Sequence, residues 1–160
     1  MVTLAEPGIV THDEEQQHSR GRQSLLQKYI FSTDHKQIGK NYMVTAIIFM
    51  LIGGLFAEIM RVNLAYQPGT AGGYGGGTSF LSPADYDSLF TMHATTMIFL
   101  FTIPMLIGGF TNFAMPLMIG AGDVAFPKLN MISYVLYPPG GIILMLSFLY
   151  GAPQAGWTSY

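Results

Sequence analysis

The sequence predicts an all-α membrane protein with three transmembrane helices and a polar N-terminal tail. Charged residues make up 10% of the 160 residues and hydrophobic residues 50%, whereas about 25% of the residues in soluble domains are charged. No charged residue lies between residues 88 and 122, or between residues 129 and 160. Uncharged intervals of this length are typical of helices that cross a lipid bilayer.

Composition and motifs also exclude several classes of protein. The formal net charge of −2 offers no basic surface for nucleic acid, and the absence of cysteine excludes disulfides, iron–sulfur clusters and thiolate catalysis. No serine–histidine–aspartate or paired-carboxylate arrangement indicates a hydrolase. The glycine-rich stretch at residues 69–77 lacks the βαβ pattern around a phosphate-binding loop, so it predicts a flexible connector.

The polar tail is predicted at residues 1–28, which contain no apolar run typical of a signal peptide. A short interfacial helix is predicted around residues 25–30. The first transmembrane helix is predicted at about residues 41–60, because about 20 apolar residues cross a bilayer core of roughly 30 Å.

The second and third transmembrane helices are predicted at about residues 89–119 and 129–150. A helix over residues 89–119 is roughly 46 Å long and exceeds the bilayer core, so we expect it to tilt, kink or protrude. Breaker residues suggest where it bends (Pro104, Gly108, Gly109 and Pro116). The run Pro138-Pro139-Gly140-Gly141 predicts an interruption of the third helix.

Lysine and arginine predict the orientation of the chain in the membrane. Positive residues are enriched on the cytoplasmic side of transmembrane helices. Of the seven lysines and arginines, only Arg61 is predicted on the side of the membrane opposite to the N-terminus. This distribution predicts that the N-terminus is in the cytoplasm. The other six lie on the near side (Arg20, Arg22, Lys28, Lys36, Lys40 and Lys128).

His93 is the one histidine predicted to lie inside a transmembrane helix, because the other three are outside the predicted spans. An ionisable residue within a membrane is costly and indicates function. An imidazole binds haem iron, copper or zinc when its second nitrogen is held by a partner. The alternative is a neutral histidine bonded to a backbone carbonyl across a helix contact.

Asp123 lies in the short loop between the second and third predicted helices. It is either a helix N-cap or surface carboxylate, or a proton collector at a channel mouth on the cytoplasmic side. Asn112 and Asn130 lie on the two helices that this loop joins, so their amides are expected to face each other just inside the mouth. Each asparagine taken alone also fits a plain helix–helix hydrogen bond.

Arg61 and Trp157 are predicted at the outer ends of the first and third helices. Arg61 either extends to lipid headgroups or donates to an oxygen acceptor on a buried cofactor, which its planar guanidinium suits. Trp157 fits the belt of aromatic residues found at membrane interfaces.

Five motifs resemble subunit I of the A-type branch of the haem–copper terminal oxidases. They occur in the same order and with compatible spacing over residues 30–160. The motifs are FSTDHKQIG at 31–39, Arg61 with Gln67-Pro68-Gly69, TMHA at 91–94, IGGFTN at 107–112, and PLMIGAGDVAFPKLN at 116–130 leading to Gly156-Trp157-Thr158. Members of this branch take electrons from cytochrome c or quinol, reduce dioxygen to water and pump protons. The resemblance therefore implies a respiratory oxidoreductase.

The resemblance also implies the roles of the candidate haem residues. His93 matches one of the two axial ligands of the low-spin haem iron. Arg61 matches an arginine that contacts the periphery of that haem, and Trp157 falls near its propionates. The residues leave the haem type open between a, b and o, and the resemblance favours haem a. It also places the high-spin haem and copper in a later part of the subunit.

For the polar residues, the resemblance implies a proton channel. Asp123 matches the entrance of the D-type channel, and Asn112 and Asn130 match the asparagines that gate it.

Four positions depart from the family pattern. Met131 replaces a second asparagine, and Asn63 replaces a glutamate used in a peripheral cation site, which puts that site in doubt. Asp85 and Ser88 stand where quinol-oxidising members carry a histidine and a glutamine. Asp85 and Ser88 therefore favour cytochrome c, and not quinol, as the electron donor.

The resemblance implies a twelve-helix subunit, so residues 29–160 are expected to form its N-terminal three-helix part. We expect the chain to be a fragment, a split-gene product or one piece of a divided subunit, inactive by itself. Its expected partners are the remainder of subunit I, oxidase subunits II and III, cytochrome c and the lipid bilayer, in a bacterial plasma membrane. The alternatives are a non-catalytic scaffold or assembly subunit, a quinol oxidase, and a nitric oxide reductase relative.

Overall fold

The computed structural model describes residues 29–65 and 80–157. Within these residues the chain forms helices and turns but no β-strand, and three helices are long and apolar enough to cross a membrane. They are α1 (His35–Ala65), α2 (Pro83–Met118) and α3 (Pro127–Tyr150). The predicted fold class is therefore confirmed. The predicted tail, most of the predicted interfacial helix and the glycine-rich stretch lie outside the described residues.

Helix α1 begins six residues before the predicted start, because Asp34 caps it. The Asp34 carboxylate accepts a hydrogen bond of 3.0 Å from the amide of Lys36, and its carbonyl accepts one of 3.0 Å from the amide of Ile38. These bonds satisfy amide donors that the first turn of a helix leaves free. The polar first turn adds no hydrophobicity, so the apolar pattern alone misses it.

Helix α2 also begins six residues early, at Pro83. The Ser82 hydroxyl accepts from the Asp85 amide at 3.1 Å and donates to the Asp85 carboxylate at 2.7 Å. Proline suits the first helical position because its missing amide donor would be unpaired there in any case. Ser82, Pro83 and Asp85 together make a start signal that lies outside the uncharged interval.

The irregularity expected in the middle of α2 takes the form of π-helical turns. They occupy Thr96–Thr102 and Pro104–Thr111, and α-helical geometry returns at Asn112–Met118. The hydroxyls of Thr102 and Thr111 bond the carbonyls five residues earlier, at 2.8 and 3.0 Å. Because side chains help to satisfy the backbone, the helix widens without breaking.

Helix α3 is continuous, so the interruption predicted at residues 138–141 is wrong. Pro138 and Pro139 lie inside the helix. Membrane helices tolerate such residues when packing holds the neighbouring turns. Here Gly141 is buried against the ring of Phe49 on α1, and a Cβ at this glycine would collide with that ring.

Helix α1 packs against both other helices. Its Gly39 faces Gly109 of α2, where a Cβ on Gly39 would lie 3.0 Å from the Gly109 carbonyl oxygen. The outer surface is apolar, with Leu51 and Ile143 65% and 69% exposed. Such a surface suits contact with lipid or further helices and not with water. The start of α1 and the α2–α3 loop lie at the same end of the bundle.

Candidate functional site

His93 lies on α2 where this helix contacts α1. Its Nδ1 atom is 2.8 Å from the carbonyl oxygen of Gly53, which is 40 residues earlier in the chain. A carbonyl oxygen is only an acceptor, so Nδ1 carries the proton and donates it, and Nε2 carries the lone pair. Within the described residues, Nε2 has no hydrogen-bond partner.

The bond between His93 and the Gly53 carbonyl is the contact that we expect of a structural histidine. It is also the contact that we expect of a histidine that binds a metal. Histidines that bind metals usually donate their other N–H to a carbonyl or carboxylate, which fixes the tautomer and the ring orientation. The His93 residue is partly exposed. The residue therefore fits an axial haem ligand.

Arg61 lies eight residues beyond Gly53 on α1, roughly 12 Å along the helix axis. Its side chain is exposed, and within residues 29–65 and 80–157 no ion pair engages it. It is therefore free to meet an acidic or oxygen-rich group at this end of the bundle.

Trp157 contacts α2 on a different face from the one that carries His93. Its indole N–H donates to the Thr95 hydroxyl at 3.0 Å, and its ring lies 5.5 Å from the Phe99 ring. Thr95 is two residues from His93, so the two side chains point about 160° apart on an α-helix. The structure therefore does not bring Trp157 and His93 together.

A row of hydroxyls on α2 holds the segment that contains Trp157. Thr91 accepts from the Gly156 amide at 3.1 Å, and the buried Ser88 donates to the Ala152 carbonyl at 3.3 Å. The Thr95 hydroxyl donates to the Thr91 carbonyl at 2.8 Å, which leaves its lone pairs for the indole. This α2 hydroxyl row (Ser88, Thr91 and Thr95) fixes the position of residues 152–157.

Asp123 contacts His35 across the end of the bundle. The Oδ1 atom of Asp123 is 3.1 Å from His35 Nδ1 and accepts from the Val124 amide at 2.7 Å. The side chain of Asp123 is 43% exposed, so it faces both water and a buried histidine. Asp123 does not cap α3, because the N-cap position is Phe126. The N-cap alternative is therefore wrong, whereas the exposure of Asp123 agrees with the surface-carboxylate alternative.

Asn112 and Asn130 meet as expected, with the Asn112 amide nitrogen donating to Asn130 Oδ1 at 3.1 Å. Asn112 also donates to the Gly108 carbonyl at 2.8 Å. The buried Nδ2 atom of Asn130 has no partner within the described residues. A buried donor without a protein partner is suited to bond a water molecule.

The polar contacts continue beyond the two asparagines. The Ser133 hydroxyl donates to the Asn130 carbonyl at 2.6 Å and lies 2.9 Å from the Tyr42 hydroxyl. Thr45 and Tyr134 lie close by, with their oxygens 3.3 Å apart. Side chains of α1, α2 and α3 thus form a set of polar contacts toward the Asp123 end of the bundle.

Three of the four family departures have local structural roles. Asn63 is 1% exposed, and its Oδ1 accepts from the Leu81 amide at 3.1 Å, which ties the end of α1 to the start of α2. Asp85 belongs to the α2 cap and Ser88 to the hydroxyl row. Among the described residues, the Met131 side chain makes none of these polar contacts.

Sequence reasoning missed several residues at these sites. His35 was placed outside the spans, yet it is the first residue of α1 and only 2% exposed. The cap signal of Asp34 immediately before it is the one local clue. Gly53, Ser133 and Tyr42 gave no signal, because a backbone carbonyl and single hydroxyls acquire a role only through contacts between helices.

The fold thus defines a multi-pass α-helical membrane protein, with a histidine bonded across a helix contact and a cluster of polar side chains at one end. Residues 37–160 match the family model described as cytochrome c and quinol oxidase polypeptide I. The chain belongs to this family.

Curated relatives agree with the family match. The chain is 52% identical over 132 residues to cytochrome c oxidase subunit 1 of Thermostichus vulcanus, covering 82% of this chain and 22% of the relative. It is 46% identical over 139 residues to the subunit 1 of Synechocystis sp., covering 87% and 23%. Over 142 residues it is 46% identical to that of Bacillus subtilis, covering 88% and 21%. The chain therefore spans between a fifth and a quarter of the length of these relatives.

Proposed function

We propose that this chain is part of a membrane-bound cytochrome c oxidase, to which it contributes one axial ligand of the low-spin haem and the entrance of a proton channel. The whole enzyme takes electrons from cytochrome c, reduces dioxygen to water and pumps protons. Family membership supports the oxidase assignment. The observation that carries the chain's own role is the hydrogen bond between His93 Nδ1 and the Gly53 carbonyl.

For the haem site, we infer that His93 coordinates the iron through Nε2. A low-spin haem supplies one-electron transfer, and two imidazole ligands leave no open position for oxygen on its iron. Arg61 is proposed to contact the haem periphery, since it is exposed and outside any described ion pair. Trp157 is proposed to lie near the propionates, with its indole N–H donated to Thr95. Haem a is the proposed type.

For the proton channel, we propose that Asp123 receives protons from the cytoplasm and passes them toward Asn112 and Asn130. This proposal is supported by the exposure of Asp123, whose side chain is 43% exposed to water and bonded to a buried histidine. The asparagine pair, with the unpartnered Nδ2 of Asn130, offers groups that hold water behind it. Ser133 extends this set by one hydrogen bond.

The proposed location is a bacterial plasma membrane with the N-terminus in the cytoplasm. The distribution of lysine and arginine supports this orientation, because six of the seven come either before the apolar part of the first helix or in the loop that contains Asp123. The proposed partners are the remainder of subunit I and subunits II and III. The high-spin haem and copper are proposed to be bound by residues outside this chain.

Reduced-minus-oxidised spectra of the assembled oxidase test the haem assignment. We expect His93→Ala to abolish the low-spin haem band, because the iron loses an axial ligand. His35→Ala is the matched control, since it removes a buried histidine at the other end of the bundle, and it should retain the band. An unchanged band in His93→Ala would exclude the ligand role.

A second candidate is a scaffold or assembly subunit that kept the helices and lost the chemistry. This candidate also accounts for the His93–Gly53 bond, since a structural histidine makes the same contact. The same spectra separate the two: a scaffold subunit shows no low-spin haem band that depends on His93.

A further inference from the structure

An apolar groove lies between α1 and α3 on the surface of the bundle. Its volume is about 510 Å³, and residues 45–52 of α1 and residues 134–142 of α3 contribute most of its lining. Among the lining residues, Ile48 and Ile142 are 52% and 55% exposed, whereas Phe49 is only 5% exposed. This feature, named here the α1–α3 groove, is therefore open to the surroundings of the bundle and closed at its floor.

The lining of the α1–α3 groove favours an apolar occupant. Eight of its ten lining residues are apolar, and none of the ten is charged. The other two are Thr45 and Tyr134, whose side-chain oxygens lie 3.3 Å apart and bond each other. Apolar surface of this kind is more stable against hydrocarbon than against water. The groove is therefore suited to bind a hydrocarbon chain.

The size of the groove distinguishes a lipid chain from a protein helix. From Thr45 to Ile52 the groove is roughly 10 Å long. An α-helix with its side chains is about 10 Å wide, so a segment of this length occupies roughly 800 Å³, which exceeds the volume of the groove. An extended hydrocarbon chain carries no side chains and is thinner. The occupant that fits is therefore a single acyl chain.

A lysine lies beyond the end of the groove that is nearest to Asp123. Lys128 precedes Val135 by seven residues, so the two lie on the same face of α3, roughly 10 Å apart along the helix. Lys128 is exposed, and none of the ion pairs within residues 29–65 and 80–157 includes it. Lys128 and Ile142 are roughly 21 Å apart along α3, and one bilayer leaflet with its headgroups is about 20–22 Å deep. A phosphate at Lys128 is therefore within reach of a chain that fills the groove.

The segment before α1 borders the groove at the same end. The Asn41 side chain donates to the Tyr29 carbonyl, and the next residue, Ile30, lines the groove. Gln37 donates to Asn41 Oδ1 at 2.8 Å, which orients the Asn41 amide. The border of the groove is thus held by contacts within the chain, so the site is formed before a lipid binds.

We propose that the α1–α3 groove is a lipid site, which binds one acyl chain of an anionic phospholipid and places its phosphate at Lys128. Lysines near a membrane surface attract anionic headgroups, and basic sites between transmembrane helices bind them. A lipid that is held both by its chain and by its phosphate exchanges more slowly than the bulk lipid. The inference goes beyond the proposed function, because neither the haem nor the proton channel takes part in it.

Photo-crosslinking of the assembled oxidase in bilayer nanodiscs tests the acyl-chain site. The discs contain phosphatidylcholine and a small share of phosphatidylglycerol with a diazirine in one acyl chain, and mass spectrometry maps the labelled residues. We expect labels at residues 45–52 and 134–142. Ile142→Trp fills the groove and should lose most of these labels. Ile143→Trp is the matched control and should keep them, because Ile143 is 69% exposed and does not line the groove.

A second pair of variants tests the contact between Lys128 and the phosphate. Lys128→Gln should lower labelling by the phosphatidylglycerol probe about fivefold, the effect expected of one lysine near an anionic surface. Labelling by a phosphatidylcholine probe with the same diazirine chain should change little. Lys40→Gln is the matched control and should label like the wild type, because Lys40 is also exposed but lies about 140° around α1 from Thr45.

Three results would overturn the proposal. Equal labelling in Ile142→Trp and Ile143→Trp would show that the acyl chain does not enter the groove. Equal labelling in Lys128→Gln and Lys40→Gln would show that Lys128 does not hold the headgroup. If Ile142→p-benzoylphenylalanine cross-links to another oxidase subunit and not to lipid, a protein surface covers the groove and the lipid site is wrong.

Discussion

The Nδ1 atom of His35 lies 3.1 Å from the Oδ1 atom of Asp123, although 88 residues separate them in the chain. His35 Nδ1 is also 3.8 Å from the Asp34 carboxylate. The contact joins the first residue of α1 to the α2–α3 loop and holds an exposed carboxylate at one point on the bundle. The proposed proton entrance is therefore built from two segments that are far apart in the chain.

Replacing Asp123 with asparagine is expected to slow proton uptake roughly tenfold or more, because an amide cannot bind and release a proton. Proton uptake by the reconstituted oxidase, followed with a pH indicator during turnover, measures the effect. Asp87→Asn is the control, since Asp87 is an exposed carboxylate at the opposite end of the bundle. Wild-type uptake in Asp123→Asn would contradict the entrance role. Adding His35→Leu to the Asp123→Asn variant should slow proton uptake no further, because His35 and Asp123 are in contact and are expected to act as a unit.

Asn112 and Asn130 are expected to act as one unit in the channel. Each single change to leucine should slow proton uptake, and the double variant should be no slower than the slower single variant, because either change removes their shared hydrogen bond. The rate of proton uptake is the measurement. Asn41→Leu is the control, because the Asn41 side chain bonds Gln37 and Tyr29 instead. Strictly multiplicative single effects would show that the two amides act separately.

Thr91→Val is expected to loosen the segment before Trp157. The substitution keeps the shape of the side chain but removes the hydroxyl that accepts from the Gly156 amide. Hydrogen exchange of the assembled oxidase, read by mass spectrometry over residues 151–157, should therefore be faster. Thr102→Val is the matched control, because the Thr102 hydroxyl bonds a carbonyl of its own helix. Equal exchange in the two variants would remove the role of the hydroxyl row.

Gly120→Ala is expected to destabilise the end of α2 by about 1–2 kcal/mol, because Gly120 has φ of +70° and other residues are strained in this left-handed conformation. The amide of the next residue, Ala121, bonds the Pro116 carbonyl at 2.9 Å, as in a glycine-terminated helix. A lower midpoint of thermal denaturation measures the effect. Gly122→Ala, at an equally open position without positive φ, should match the wild type. Equal midpoints for both variants would show that Gly120 is not strained.

Hydropathy predicted the number and order of the helices but not where they begin. Asp34 and Ser82 start α1 and α2 through hydrogen bonds to backbone amides, and such polar caps add nothing to an apolar pattern. The pattern also predicted a break at Pro138 that is absent. Proline is a local signal against a helix, whereas the packing of Gly141 on Phe49 is a tertiary contact that keeps the turns together.

The candidate site was predictable where a residue type is rare in its setting. A histidine in an uncharged interval and an aspartate between two such intervals stand out in a chain with so few charges. The meeting of Asn112 with Asn130 followed from their positions on two helices joined by a short loop. The Gly53 carbonyl was not predictable, since every residue has a carbonyl and only the position of α1 against α2 selects this one.

The sequence by itself determined that three apolar helices cross the membrane, because the cost of burying charge in lipid depends on composition and length alone. Tertiary structure decided which groups meet: His93 with Gly53, Asp123 with His35, and Trp157 with Thr95. These contacts depend on the rotation and offset of one helix against the next. Close approaches such as that of Gly39 to Gly109 set that geometry, and no local pattern along the chain records it.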